Sequence, residues 1–205
     1  MMKINNLAFL FVLIIIAFSA CNLEKTTNPL SLPAFGEKGV NVVIEIPAGT
    51  NHKIEFNKST GKFENDQIYG KDRVVNFLPY PGNYGFIPST LMDESAGGDG
   101  DALDVLVISE SLPIGTVLEV IPIAALMMVD GGEIDTKIIA VPVDSTKRVI
   151  QATDFEHFLI DYNMAQNIIQ DWFLNYKGLG IVEMKGWFDE KYAMKQIRKW
   201  EIKVE

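Results

Sequence analysis

The sequence predicts a mainly β domain, arranged as a barrel, with two or so helices packed against it late in the chain. Short β-branched or alternating runs recur between residues 42 and 143. Two long apolar runs flank Asp130-Gly131-Gly132, a turn sequence typical of hairpins. Beyond Pro142 the apolar spacing changes from period two to the helical period.

Val42-Val43-Ile44-Glu45-Ile46 is β-branched and stops at Pro47, as a strand does where the ladder loses a donor. His52 to Asn57 alternates, which sets Lys53 and Glu55 on one face and Ile54 and Phe56 on the other; Gly61 marks the next turn. Residues 77–88 (FLPYPGNYGFIP) carry three prolines and two glycines beside Phe77, Tyr80, Tyr84 and Phe86. So many breakers predict an ordered, aromatic-lined loop rather than a helix or central strand. Asp104 to Ile108 reads as a buried strand. If that strand ran back through Asp101, Asp101 and Asp104 would face opposite ways, so their convergence needs a turn from Asp99 to Leu103.

Gly115–Val129 and Asp135–Val143 are the two arms of the expected hairpin. Asp130 and Asp135 flank its tip, and Asp135 and Lys137 face the same way. Thr153-Asp154-Phe155-Glu156 is a capping box, followed by an apolar stripe of Ile168, Ile169, Trp172, Phe173 and Tyr176 that stops near Gly178. Asp189 can cap a last helix with Ala193, Ile197 and Trp200 facing inward.

Ahead of the domain, Lys3 and the apolar run Leu7–Phe18 form a targeting segment too short to span a bilayer comfortably. It ends in Phe18-Ser19-Ala20-Cys21, which resembles a bacterial lipoprotein signal with a lipidated cysteine; a plain secretory signal or an uncleaved anchor is the alternative. The expected organisation is a signal over 1–20, a flexible tether over 21–39, broken by Pro29, Pro33, Gly36 and Gly39, and a folded domain over 40–205. That places the protein outside the cytoplasm, lipid-anchored to a bacterial membrane on its periplasmic side or at the cell surface. Cys21 is the only cysteine, so no intrachain disulfide can form. A formal charge of −9 over 205 residues argues against nucleic acid or an anionic bilayer surface as the main partner, leaving membrane contact to the lipid alone.

The chemistry concentrates in GGDGDALDVLVI, where Asp99, Asp101 and Asp104 crowd the mouth of an apolar strand. Carboxylates so close repel unless a hard cation neutralises them, and an oxygen-only set without His or Cys favours Mg²⁺ or Ca²⁺ over Zn²⁺. A helix-loop-helix calcium loop fits poorly: Asp99, Asp101 and Glu110 take its first, third and twelfth positions, but Asp104 stands where glycine is needed. Taken singly, Lys53 with Glu55, the hairpin-tip acids, and Tyr176-Lys177 at a helix end each suit ordinary surface roles. Their recurrence in short ordered segments of one domain is what points to a site.

In this order and spacing, VVIEIPAGTNHKIEF, YPGNYGFIPSTL, DGDALDVLV, DGGEIDTKIIAVPV and NYKGL resemble the family I soluble inorganic pyrophosphatases from about Val42 to Trp187. The resemblance implies a five-stranded, closed, OB-like β-barrel with flanking helices. It further implies Mg²⁺-dependent hydrolysis of pyrophosphate, with two or more ions per site. By the same resemblance, Asp99, Asp104 and Asp135 hold the first Mg²⁺, Asp104 also reaching the second; Asp130 and Asp135 hold an ion arriving with substrate, and Glu45 another. Asp101 matches the general base. Lys53, Tyr84, Lys137, Tyr176 and Lys177 match phosphate-binding groups, and Glu55 and Tyr80 supporting positions. Bacterial relatives are commonly hexamers, which makes a homo-oligomer a possible state.

Three positions depart from the family pattern. Gln67 stands where a substrate-binding arginine is expected, and the chain runs several residues longer to Tyr80, so Arg73 within that stretch is the candidate replacement. Gly131 stands where a glutamate follows the Asp130 position, and Ala102 replaces a proline. An impaired homologue that binds cations or phosphate without turnover is the alternative reading these changes leave.

Overall fold

The computed structural model describes residues 28–202. β1 (Val40–Ile46) is buried along nearly its whole length and ends at Pro47 as expected. β2 (Ile54–Asn57) and β3 (Lys62–Asn65) form a small antiparallel hairpin, its turn at Ser59–Gly61, with Phe56 edge-on to Phe63 at 5.2 Å. A second short hairpin follows, β4 (Gln67–Ile68) with β5 (Lys71–Asp72). β6 (Asn83–Phe86), β7 (Asp104–Val107), β8 (Val117–Asp130) and β9 (Glu133–Pro142) complete the central structure. After them come α1 (Phe155–Asp161), α2 (Asn163–Asn175), β10 (Val182–Asp189) and α3 (Glu190–Trp200).

Six strands pair in the order β1-β6-β7-β9-β8-β10, and β1 also pairs with β8 through Val40–Val43. The pairing path through β1, β6, β7, β9 and β8 therefore returns to its starting strand. β10 extends it, sharing the free edge of β8 from Ala124 to Asp130. Every pairing is antiparallel except β7–β9.

Helices cover both sides. Leu106, Ile139 and Val141 pack with Phe158, Ile169, Trp172 and Phe173 of α1 and α2. Their chain neighbours Val105, Val107, Ile138 and Ala140 pack with Ala193, Ile197 and Trp200 of α3. Coverage of both faces is why β7 and β9 read as continuous apolar runs rather than alternating ones. Truncating Ile197, fully buried here, to alanine would cost about 2–5 kcal/mol.

Several elements differ from expectation. The segment 77–88 contains β6, a central strand between β1 and β7 rather than a loop. Its glycine is what permits this: a Cβ on Gly85 would lie 1.9 Å from Val43 O. The neighbouring Asn83 offsets the breakers by satisfying the surrounding backbone. Its Oδ1 accepts from Ala48 N (3.1 Å) and Leu112 N (2.8 Å), while its Nδ2 donates to Ser109 Oγ (2.9 Å) and Glu110 O (2.8 Å). The cap of α1 is Asp154, not Thr153, its side chain accepting from His157 N. A break at Tyr162 divides the helical region, giving three α-helices among the described residues, and Ile168 of the supposed inward stripe is exposed.

The described part of the expected tether is docked. Ser89 N donates to Leu30 O (3.0 Å), Ser89 Oγ to Leu32 O (2.7 Å) and Asn41 N to Ala34 O (2.9 Å), and Ala34 is buried. The expected signal and Cys21 lie outside the described residues.

Candidate active site

The acidic turn is built by backbone closure before β7 starts. Met92 N donates to Asp101 O (2.7 Å), and Gly100 N returns to Met92 O (2.8 Å). A Cβ on Gly98 would lie 2.5 Å from Met92 O, so only glycine allows the approach. Asp101 N donates to Asp99 Oδ1 (3.0 Å), an Asx turn that fixes the Asp99 carboxylate. The tip of the β8–β9 hairpin is joined to this turn directly, Ile134 N donating to Gly97 O (2.9 Å). Two stretches distant in sequence thus meet.

The parallel β7–β9 register, Val105 opposite Ile138, sets Asp104 beside Lys137. The Lys137 side chain is 6% exposed; its ammonium contacts Asp104, lies 2.6 Å from Asp135 Oδ1 and donates to Tyr84 Oη at 2.9 Å. Tyr84, on β6, has its ring centre 5.4 Å from Lys137 Nζ and 5.5 Å from Lys53 Nζ. Lys53 also pairs with Glu55 at 2.8 Å. Glu45 of β1 accepts from Phe56 N at 2.7 Å, tying the β2–β3 hairpin to the central sheet.

The opposite wall comes from the end of β8 and the C-terminus of α2. Lys177 contacts Asp130. Tyr176 stacks on Trp172 (4.6 Å), which meets Tyr80 (4.4 Å), which meets Tyr84 (5.3 Å). This aromatic chain locks the rotamers of two phenols on different elements.

All twelve expected site residues within the described region line one cavity of about 300 Å³: Glu45, Lys53, Arg73, Tyr84, Asp99, Asp101, Asp104, Asp130, Asp135, Lys137, Tyr176 and Lys177. Glu55 joins them. Arg73 reaches the cavity while paired with Asp66 at 2.9 Å, whereas Gln67 is exposed and bonds Asp72 and the Asn65 carbonyl. Two charged wall residues were not foreseen. Lys58, at the end of β2 where the hairpin turns, lies 3.0 Å from Asp101 Oδ1; Glu133 lines the cavity two residues beyond the side-chain-less Gly131. The turn signal NKSTG locates the first, but no pattern in the sequence tells which way a hairpin tip leans.

Charge and burial oppose each other throughout. Burial pushes Glu45 up to about 8, offset in part by the Phe56 N–H and Lys53 and reinforced by Asp104 and Glu55. Burial also raises Asp99, against the Asp101 N–H, and lifts Tyr84 well above its usual value. Asp104 is buried too, yet Lys137 and Lys53 overcome that and hold it below the usual carboxylate range. Desolvation pulls the Lys137 ammonium down, but Asp104 and Asp135 more than reverse it.

Among the described residues, no three acidic side chains stand together as a ready-made ion cage. The reason is visible: Asp104 and Asp135 face Lys137, Asp130 faces Lys177, and Asp101 faces Lys58. These four carboxylates are each answered by a lysine, while Asp99 and Glu45 are held by the backbone N–H groups of Asp101 and Phe56. The donor set, all oxygen, suits a hard cation that would take over part of the lysines' work.

Comparison with known proteins gives the chain a family and a fold. The model of the inorganic pyrophosphatase family matches residues 42–205. An inorganic pyrophosphatase of Mesorhizobium japonicum is 38% identical over 164 residues, 77% of this chain and 85% of the relative. One from Neisseria meningitidis serogroup B is 38% identical over 179 residues, 83% of this chain and 92% of the relative. The crystal structure of inorganic pyrophosphatase from Thermus thermophilus superposes with a TM-score of 0.72 at 33% identity, covering 84% of this chain and 95% of that one. A β domain whose strand ends bring these acids, lysines and tyrosines to one cavity, matched in sequence nearly end to end, belongs to the inorganic pyrophosphatase family.

Proposed function

We propose that this chain hydrolyses inorganic pyrophosphate to two phosphates in a Mg²⁺-dependent reaction with Asp101 as general base. The single observation that carries the reading is one cavity in which cationic phosphate donors and oxygen ligands for a hard cation share the walls. Cations alone would suit any anion, and acids alone any metal. Their combination suits a multiply charged phosphate that arrives with metal.

Asp99, Asp104 and Asp135 would hold the first Mg²⁺, with Asp104 reaching a second. Asp130 and Asp135 would hold one that accompanies the substrate, and Glu45 another, partly through water. Bound there, Mg²⁺ supplies charge neutralisation at the phosphoryl oxygens and makes water a stronger acid. Lys53, Lys137, Lys177 and Arg73 bind and orient the two phosphoryl groups. Tyr84, kept protonated by burial, donates from its hydroxyl as charge builds on the breaking bridge. Asp101, the most solvent-open of the acids at the turn, takes the proton from the attacking water, and Lys58 holds its carboxylate in place until then. Phosphate is the leaving group.

A malachite-green assay of phosphate released from pyrophosphate with Mg²⁺ tests the reading; no release overturns it. No observation favours the impaired alternative.

The sequence of residues 1–21 supports a separate proposal, export and lipid attachment at Cys21, and Cys21→Ala should then abolish incorporation of labelled palmitate into the protein.

A further inference from the structure

Between β6 and the acidic turn the chain passes through Ser89, a non-glycine residue held at φ +49°, in the left-handed region where few side chains settle. Strain of this kind persists where the surroundings over-determine it, and here every polar group of the residue is engaged. Ser89 N donates to Leu30 O (3.0 Å) and Ser89 Oγ to Leu32 O (2.7 Å), both in the docked N-terminal segment, while Ser89 O accepts from Ile202 N (2.8 Å) just beyond α3. Both ends of the described chain thus close on a residue that does not itself line the cavity.

The next residue connects this clamp to the acidic turn. Thr90 is 4% exposed; its hydroxyl donates to Ile87 O (2.6 Å) and accepts from Leu103 N (2.9 Å). Ile87 N in turn donates to Leu103 O (2.9 Å), so both backbone groups of Leu103 are tied to the strap Ile87–Met92. Leu103 immediately precedes Asp104, and Asp101 is held by the same strap through Met92 N.

We propose that Thr90 is a positioning residue of the active site: through Leu103 it sets where Asp104 enters the cavity and how far it stands from Asp101, while the chain ends clamped on Ser89 hold it in place. The proposal rests on the pyrophosphatase reading and adds to it a residue that touches neither substrate nor metal. Thr90 works through one buried hydroxyl that both gives and takes a hydrogen bond. Valine matches its shape and does neither, leaving Leu103 N–H without a partner; serine does both.

The test titrates Mg²⁺ calorimetrically, without substrate, into the purified full-length chain, Thr90→Val and Thr90→Ser, and measures pyrophosphate turnover and a thermal melt for each. Groups that support metal ligands from behind are worth about 10–100-fold, so Thr90→Val should weaken Mg²⁺ binding and lower kcat by about tenfold or more. KM for pyrophosphate should stay within about twofold, because Lys53, Arg73 and Lys177 bind the substrate from other segments of the chain. Thr90→Ser should recover both losses. A Thr90→Val chain that melts earlier, yet binds Mg²⁺ and turns over within about twofold of the unaltered one, assigns Thr90 to stability alone and overturns the proposal, as does a loss that serine fails to recover. If Thr90→Val does not fold, Ser89→Ala decides, since it removes only the Oγ bond to Leu32 O. A loss of Mg²⁺ affinity of about threefold there supports the proposal, and unchanged affinity overturns it. Failure of the unaltered chain to cleave pyrophosphate overturns the pyrophosphatase reading, and the Mg²⁺ titrations then judge Thr90 separately.

Discussion

Lys137 Nζ lies 2.6 Å from Asp135 Oδ1, and the same ammonium contacts Asp104 on the neighbouring strand. One buried cation thus neutralises two carboxylates that would otherwise repel. Lys137→Met keeps the volume and removes the charge. Without metal it should lose about 3–5 kcal/mol of stability, because two desolvated carboxylates are left uncompensated. Urea melts in EDTA and in Mg²⁺ measure this, and Mg²⁺ should recover much of the loss. A variant equally stable with and without Mg²⁺ would contradict the assignment of Asp104 and Asp135 as ligands.

Asp101 is exposed and pairs with Lys58 at 3.0 Å. Asp101→Asn should therefore melt like the unaltered protein, since surface pairs are worth about 0–1 kcal/mol. Its kcat should fall by about 10²–10⁴ if the carboxylate accepts the proton of the attacking water. Full turnover in this variant removes Asp101 from that role.

Arg73 lines the candidate active-site cavity and Gln67 does not. Removing a charge-assisted bond to phosphate costs about 1.5–3 kcal/mol, so Arg73→Ala should raise KM for pyrophosphate by about tenfold or more. Gln67→Ala should leave it unchanged. The reverse ranking in steady-state kinetics would place the missing guanidinium's function elsewhere.

Burial pushes Glu45 from its ordinary 4.5 up to about 8. Between those values the folded chain binds a proton that the unfolded chain does not, so stability without metal must fall as pH rises across that window. The raised Asp99 acts in the same direction. Asp104, held low, gives up its contribution only as pH drops below the ordinary carboxylate range, outside the window. Urea unfolding in EDTA at several pH values should show this decline, and Glu45→Gln should flatten it. A slope unchanged by Glu45→Gln would assign the decline to another group.

The β8–β9 hairpin and the turn before β7 were legible because each rests on local chemistry: Asp-Gly-Gly between apolar runs, and the need to bring Asp101 and Asp104 together. β6 was not, since its permission to sit centrally comes from Asn83 and from the contact of Gly85 with Val43, both long-range. β10 was missed for a related reason. Its pairing with β8 is irregular between Met184 and Gly186, which breaks the alternation a strand would show. The site residues were readable as chemical types at fixed spacing, but their pairing with lysines was not, because Lys58 and Lys177 reach Asp101 and Asp130 only through tertiary contact.

The parallel alignment of β7 and β9 carries one more implication. Ile138, Ile139, Ala140 and Val141 are all buried, so greasiness by itself hardly distinguishes one sliding position of β9 from the next. Lys137 breaks that ambiguity: displaced by a single step, it would point to the opposite side and abandon both aspartates. The ion pairs of Lys137 with Asp104 and Asp135 therefore also key the strands together, and Lys137→Met should refold with a lower yield of native, Mg²⁺-responsive protein even at concentrations where aggregation is negligible.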